Sequence, residues 1–219
     1  MSSKRCWVAR GHSMSYELAS RRRRDFLRSI VSGVAAMGAS AAFSPAFARS
    51  GFVVPDGHAD AYTSAAFWAQ PRVLRLHRPA SKETVEACYW RDGQLDSVGY
   101  LRICRILRDV RADKAATIDI RLLNLLRGMQ GWVEVSYGIH DPYQINSGYR
   151  THATNGSTEG AARHSLHMKG QAVDGLHPGL PLEYTGNLFK AFQGGGVGFY
   201  LNSKKFIHAD VGRVRQWRG

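Results

Sequence analysis

Segments with strand character and segments with helical character follow one another from Arg72 to the C-terminus without a regular β–α–β repeat. Strand character is found in RVLRLHR, TVEACYW, WVEVSYG, YQINSGYR, VGFYL and KFIHADVG, with turn signals at Arg91-Asp92-Gly93 and at Asn202-Ser203. Apolar residues at helical spacing predict helices over 97–110, over 120–131 and in LPLEYTGNLFKAF. This mixed order predicts an α+β fold, in which helices flank an antiparallel sheet that ends in a hairpin.

The N-terminal part of the chain, residues 1–48, has the organisation of an export signal. Its arginine run resembles the twin-arginine motif, with Arg23 and Arg24 as the pair, and a modest apolar stretch of small residues follows. Ala46-Phe47-Ala48 then matches the A-x-A pattern of a cleavage site. We therefore expect export by the twin-arginine translocation machinery, cleavage after Ala48, and a location in the periplasm or cell envelope.

Three other interpretations of this part of the chain stay open. The signal could remain uncleaved as an anchor, translation could start at Met14, or a short buried helix could follow a solvated basic run. Residues 49–66 are mostly small and polar, and we interpret them as a linker. The remaining residues, 67–219, are then one functional domain.

The formal charge of the chain is +13, but the basic excess is uneven. Residues 1–48 contain 8 Lys and Arg against 2 Asp and Glu, which leaves 22 against 15 of the chain's 30 and 17, a net charge of +7, for the remainder. A moderate positive charge suits an acidic polymer such as the peptidoglycan of the cell wall. An exported protein seldom meets nucleic acid, so no nucleic-acid partner is expected.

Two cysteines, Cys88 and Cys104, remain after the predicted cleavage. In an oxidising compartment they could pair, and two buried thiols are an equally open alternative, because their geometry cannot be inferred from the sequence. No CxxC motif is present, so a cysteine-based zinc site is not expected.

The stretch SLHMKGQAVD combines a histidine and an aspartate that could meet at one point. Gly170 allows a turn after His167, and QAVD has strand character, so a loop-to-strand hairpin could direct His167 and Asp174 the same way. Zinc accepts histidine nitrogen and carboxylate oxygen, and a catalytic site needs three protein ligands. His208, on the predicted strand FIHADVG, is the candidate for the third. Taken alone, however, each histidine is more often a hydrogen-bonded core residue than a ligand.

Four motifs in a defined order, SGYRT, HSLHMKGQAVD, GGGVGFY and FIHADVGRVRQW, resemble the zinc D-Ala-D-Ala carboxypeptidase and murein endopeptidase superfamily (peptidase M15-like). The similarity is strongest to its exported YcbK-like branch and extends from Phe67 to Trp217. It implies a hedgehog/DD-peptidase-like fold for a zinc peptidase domain over 67–219. It also implies His167, Asp174 and His208 as the ligands of Zn²⁺.

The implied chemistry needs a proton acceptor as well as the metal. Two neutral histidines and one carboxylate leave zinc a residual positive charge, which lowers the pKa of its water to about 7. Several relatives have an acid three residues before the last histidine, where this chain has Lys205. Residues two apart on a strand face the same side, so Asp210 lies with His208 and is the predicted general base. Alternatively, Asp210 only holds His208, and His164 is a further candidate for the base.

Two more residues are expected to act on the substrate. The arginine of relatives that matches Arg150 faces the substrate, and a guanidinium presents a fork of donors to a carboxylate or a developing oxyanion. The alternative is an ordinary salt bridge after a turn. Tyr200 is expected to line the substrate cleft, since GVGFY leads into the predicted site.

The resemblance implies zinc-dependent hydrolysis of peptidoglycan peptide bonds, and within this branch an endopeptidase that acts on cross-links during cell-wall remodelling. One alternative is a D,D-carboxypeptidase. Because Lys205 replaces an acid, another is a catalytically inactive, zinc-retaining protein that binds the wall or has a regulatory role. The sequence leaves open which peptide bond is cut.

Overall fold

The structure is a computed structural model that describes residues 65–202 and 204–219. The predicted export signal, its cleavage site after Ala48 and nearly all of the linker predicted over 49–66 lie outside the described residues. Among the described residues, no helix has the length and apolar character needed to span a membrane.

Eight strands and five α-helices make up the described part of the chain. The strands are β1 (Arg72–Arg78), β2 (Glu83–Arg91), β3 (Gln94–Leu95), β4 (Tyr143–Ser147), β5 (Ala172–Leu176), β6 (Gly196–Tyr200), β7 (Phe206–Asp210) and β8 (Arg215–Arg218). The helices are α1 (Ala65–Ala69), α2 (Ser97–Ile106), α3 (Ile120–Tyr137), α4 (His152–Gly156) and α5 (Leu182–Ala191). Short 3₁₀ turns lie at Pro79–Ser81 and Leu166–Lys169.

The strands form one sheet in the order β3-β2-β1-β4-β5-β7-β6-β8. Only the β1–β4 and β6–β8 neighbours are parallel, and the other pairs are antiparallel. Helix α2 packs on β2, α3 on β1, and α5 on β6 and β7. The α+β class predicted from the sequence is therefore confirmed, as are the hairpin of β6 and β7 and the turn before β3.

The prediction of a strand in WVEVSYG is wrong, because these residues form the last turns of α3. Trp132 and Val133 are buried with Met129, which continues the helical spacing of the apolar residues before them. The helix ends at Gly138, whose φ of +64° is the left-handed conformation typical of a residue after a helix. Gly131 lies inside the helix, where an added Cβ would come within 2.4 Å of the ring of Phe67.

The helix predicted over 97–110 ends earlier, at Ile106, because the residues after it hold a distant loop. The carbonyl of Leu107 accepts a hydrogen bond from the backbone N–H of Tyr149 (2.8 Å). Oδ2 of Asp109 accepts two more, from the backbone N–H and the hydroxyl of Thr151 (both 2.9 Å). The segment after α2 therefore supports the loop after β4, which carries Arg150.

Cys88 and Cys104 are both free thiols, and Cys104 is buried. The two cysteines are thus unpaired, but the alternative of two buried thiols holds only for Cys104, because Cys88 is half-buried.

Asp109 is buried, yet its pKa is about 2, below its ordinary value of 3.8. Burial by itself would raise the pKa, but hydrogen bonds from Thr154 and Thr151 outweigh that effect. A depressed carboxyl pKa adds stability above pH 3.8 that is lost as the pH falls towards 2. We expect Asp109→Asn to lower the free energy of unfolding at pH 7 by about 2 kcal/mol.

Urea unfolding of the wild type and of Asp109→Asn at pH 7 and near pH 2.5 would check this loss of stability. The difference in the free energy of unfolding between the two proteins should shrink at the lower pH. Asp92→Asn is the matched control, because Asp92 is exposed in a turn with φ of +52°, which asparagine also adopts. An equal loss of stability in both variants, or a loss independent of pH, would contradict the role given to Asp109.

Candidate metal centre

Three segments bring the predicted ligands together. His167 lies in the 3₁₀ turn Leu166–Lys169, Asp174 in β5 and His208 in β7. Because β5 and β7 pair in antiparallel register, Asp174 is directly opposite His208. Their Oδ1 and Nδ1 atoms are 2.8 Å apart, and Nε2 of His167 lies 3.2 Å from each of these atoms. The three donor atoms therefore converge on one point.

The turn that carries His167 is held at both ends. The hydroxyl of Ser165 accepts a hydrogen bond from the backbone N–H of His167, which caps the start of the turn. Gly170 ends the turn with φ of +64°, and a Cβ there would lie 2.3 Å from the carbonyl oxygen of Thr117. Only glycine fits this position, so the glycine in the SLHMKGQAVD motif sets the direction of the strand that follows.

Each histidine has one nitrogen in the cluster and one outside it. Nδ1 of His167 is 2.7 Å from the carbonyl oxygen of Gly148, which can only accept, so Nδ1 carries the hydrogen. Nε2 of His208 is 3.0 Å from Oδ2 of Asp210 and likewise donates. The lone pairs of His167 Nε2 and His208 Nδ1 therefore face the carboxylate of Asp174. Three lone pairs that meet in a buried place repel one another unless a cation lies between them, which fits a metal site.

The same cluster also attracts protons, which compete with a metal cation for the inward-facing donor atoms. Burial by itself would raise the pKa of Asp174, but the charges and hydrogen bonds of His167 and His208 outweigh it and hold that pKa well below its ordinary value. Burial would lower the pKa of His208, but the carboxylates of Asp174 and Asp210 raise it above its ordinary value, because both stabilise the protonated imidazole. The carboxylate is thus ionised at neutral pH, and the cluster attracts positive charge.

Arg150 contacts the ligand set directly. Its Nε donates to the hydroxyl of Ser147 (2.8 Å), and its Nη2 donates to Oδ2 of Asp174. Asp174 therefore keeps Oδ1 for the cluster. Nη1 of Arg150 has no hydrogen-bond partner within residues 65–202 and 204–219, and Arg150 lines the same cleft as the three predicted ligands. The two interpretations of Arg150, salt bridge and substrate contact, are compatible in this geometry.

Asp210 is fully buried, and both of its oxygens are occupied. Oδ1 accepts from the backbone N–H groups of Gly196 (3.0 Å) and Gly212 (2.8 Å) and from Nη1 of Arg215 (3.0 Å), while Oδ2 accepts from His208 and from Nη2 of Arg215 (2.7 Å). Burial would raise the pKa of Asp210, but these bonds hold it far below its ordinary value. Such a carboxylate is a poor proton acceptor, so the contacts favour its alternative role, holding His208.

The three predicted ligands line a cleft of about 910 Å³. Tyr200 lines it, as the sequence predicts, stacks on Phe206 with ring centroids 4.5 Å apart, and accepts a hydrogen bond from Nε1 of Trp217 (3.0 Å). The ring of Trp217 is 5.2 Å from that of His208. Other residues that line the cleft are Arg111, Glu159, His164 and Lys204, all of which are exposed.

Three contacts of the site were missed by the sequence analysis: the Gly148 carbonyl, Arg215 and the wall formed by Trp217. A backbone carbonyl leaves no signal in a sequence. Arg215 lies five residues after Asp210 in a basic C-terminal segment that carries no distinguishing pattern. The order of the four motifs was the only available signal for Trp217, which ends the last of them.

Comparisons with known proteins agree with the motifs. A family model, Peptidase_M15_2, described as peptidoglycan L,D-endopeptidase MepK, matches residues 66–217. The chain belongs to this family of peptidoglycan peptidases. It is 33% identical over 157 residues to the peptidoglycan L,D-endopeptidase MepK of Escherichia coli K12, covering 68% of this chain and 81% of the relative. The probable peptidoglycan L,D-endopeptidase MepK of Haemophilus influenzae is 32% identical over 119 residues, covering 52% and 61%.

The resemblance recognised from the four motifs is thereby confirmed. No solved structure matches the chain significantly.

Loss of one ligand should abolish tight metal binding. We expect the purified protein to bind one Zn²⁺ per chain. His167→Ala should bind Zn²⁺ more than about 100-fold more weakly, because losing a ligand costs more affinity than losing a residue that only supports a ligand. Competition with a chromophoric chelator measures both affinities. His152→Ala is the control, since His152 is exposed on α4 outside the cluster. Full zinc affinity in His167→Ala would contradict the ligand assignment.

Proposed function

We propose that the protein is a zinc-dependent endopeptidase that hydrolyses peptide cross-links of peptidoglycan during cell-wall remodelling. The observation that carries this proposal is the convergence of His167 Nε2, Asp174 Oδ1 and His208 Nδ1 in a cleft of about 910 Å³. The family match and the names of the relatives support the substrate class. Because those relatives are named L,D-endopeptidases, we propose an L,D bond as the one that is cut.

The proposal also covers the domain organisation and the export of the chain. The motif order and the pairing of two ligand-bearing strands support a hedgehog/DD-peptidase-like domain over 67–219. The arginine pair and the A-x-A pattern support a signal over 1–48, export by the twin-arginine machinery and cleavage after Ala48. The linker over 49–66 and a location in the periplasm or cell envelope complete the proposal.

The residues of the site have distinct roles in this proposal. His167, Asp174 and His208 would hold Zn²⁺, which would polarise the scissile carbonyl and acidify a water. Arg150 keeps Asp174 in place through Nη2 and has Nη1 left for a carboxylate or a carbonyl oxygen of the substrate. Tyr200 and Trp217 form an aromatic wall beside His208, against which a stem peptide packs.

Charge at the rim of the cleft suits an anionic substrate. Arg111 and Lys204 line the cleft, and neither has a carboxylate partner within 4.0 Å in the part of the chain that the structure describes. Free cations of this kind attract the carboxylates of stem peptides over distances of about 10 Å. Glu159 is the one exposed acid among the residues that line the cleft.

The proton acceptor is proposed to be His164. Since the oxygens of Asp210 are saturated, His164 and Glu159 are the exposed proton-accepting side chains left among the residues that line the cleft. His164 directly precedes Ser165, which caps the turn that carries His167, so its backbone is fixed relative to the ligands. Glu159 lies earlier in the same exposed loop, farther from that turn. A positioned base requires such fixed geometry.

Digestion of purified sacculi tests the activity. Incubation with the zinc-loaded protein and separation of the muropeptides should show loss of L,D cross-linked dimers and a matching gain of monomers. Release of D-Ala from monomers alone would indicate the D,D-carboxypeptidase alternative. Unchanged muropeptides together with tight zinc and sacculus binding would indicate the inactive wall-binding alternative, which the saturated Asp210 and the presence of Lys205 favour.

His164→Gln is expected to reduce kcat by about 10²–10⁴-fold, because glutamine keeps a similar size but cannot take up the proton. Glu159→Gln, from the same rim of the cleft, is the matched control and should stay within a few-fold of the wild type. Rates of dimer cleavage and zinc content would be measured for both variants. A large loss in Glu159→Gln with normal turnover in His164→Gln would transfer the role of base to Glu159.

A further inference from the structure

Arg215 is not a ligand, yet its guanidinium is two hydrogen bonds away from one. It approaches the carboxylate of Asp210 as a fork, with Nη2 2.7 Å from Oδ2 and Nη1 3.0 Å from Oδ1. Oδ2 of Asp210 also accepts from Nε2 of His208 at 3.0 Å. Arg215, Asp210 and His208 therefore form one chain of contacts that ends at the metal centre.

The surroundings of the fork are shaped to hold it. A Cβ at Gly196 would lie 2.2 Å from Nη1 of Arg215 and 2.6 Å from Oδ2 of Asp210, so a side chain there would displace the fork. The guanidinium also lies over the ring of Trp217, with Cζ of Arg215 4.9 Å from the ring centroid. Nη1 also donates to the carbonyl of Arg213 at 3.1 Å. The guanidinium is thus fixed by an aromatic face, a backbone carbonyl and both carboxylate oxygens.

A bidentate fork fixes the plane of a carboxylate, which a single bond does not. With that plane fixed, Oδ2 of Asp210 points at Nε2 of His208 and keeps the hydrogen of the imidazole on that nitrogen. The lone pair of His208 Nδ1 is then directed at His167 and Asp174. Partners of this kind orient the ligands of a metal and set the tautomer of a histidine.

We propose that Arg215 is a positioning residue of the metal centre, which sets the tautomer and ring orientation of His208 by holding Asp210. This inference rests on the proposed zinc site but makes a claim about the metal-free protein as well. The competing explanation is that Arg215 only anchors β8 against the sheet, in which case its loss changes stability and leaves His208 as it was.

Three variants of the full-length protein separate these explanations. Arg215→Met removes the fork, Arg215→Lys keeps the charge but supplies a single ammonium, and Arg213→Met removes an exposed neighbouring arginine with no side-chain partner within the described ranges. Zinc affinity is measured by chelator competition, and thermal unfolding of the metal-free proteins measures stability. Long-range ¹H–¹⁵N spectra of the metal-free proteins, recorded at a pH at which His208 is neutral, report the tautomer of His208.

We expect Arg215→Met to weaken zinc binding by about 10–100-fold, the usual effect of losing an outer partner of a ligand. Arg215→Lys should fall between Arg215→Met and the wild type, and Arg213→Met should match the wild type. The spectra should show His208 with its hydrogen on Nε2 in the wild type and in Arg213→Met, and a mixture of tautomers in Arg215→Met.

Wild-type zinc affinity and an unchanged tautomer in Arg215→Met would overturn the inference, even if that variant were less stable. If Arg215→Met does not fold, the same two measurements on Arg215→Lys decide, and wild-type values there overturn it equally. Failure of the wild type itself to bind zinc would refute the proposed function, whereas the tautomer of His208 in the metal-free proteins would still decide the role of Arg215.

Discussion

The register between β5 and β7 is the constraint on which the site depends. It sets Asp174 opposite His208 and leaves only the turn before β5 to supply the third donor, His167. Because successive strand residues face opposite sides, a slip of one residue would turn His208 away from Asp174. The register is supported by the buried apolar residues of both strands, among them Val173 and Ile207. The hydrophobic core therefore positions the polar site.

Each side chain of the cluster is held by a partner that lies outside it. The carbonyl of Gly148 accepts from His167, Arg150 donates to Asp174, and Asp210 accepts from His208. These contacts leave one donor atom of each side chain directed inward. They also depend on distant segments, since the residues after α2 support the loop of Gly148 and Arg150, and β8 supplies Arg215 to Asp210. The site is thus assembled from segments that lie far apart in the chain.

Local patterns predicted the parts of the fold in which sequence and environment agree. The alternation in β1 and the glycine after Asp92 were sufficient for the first strands and their turn. The strand prediction for WVEVSYG failed because its alternating residues also fit a helix. Burial of Trp132 and Val133 in the core decided in favour of the helix. The early end of α2 could not be foreseen either, because the groups that hold the residues after it come from the loop after β4.

The sequence by itself pointed to His167, Asp174 and His208, because the resemblance carried by the order of the four motifs implies them, and the structure brings these three side chains together. It also determined that Asp210 lies on the side of His208, since strand geometry has a period of two. Only the tertiary structure decided which nitrogen of each histidine faces the cluster and placed Arg215 against Asp210. These features depend on contacts between residues far apart in the chain. The spacing of residues in a sequence shows neither the direction of a hydrogen bond nor the saturation of a buried carboxylate.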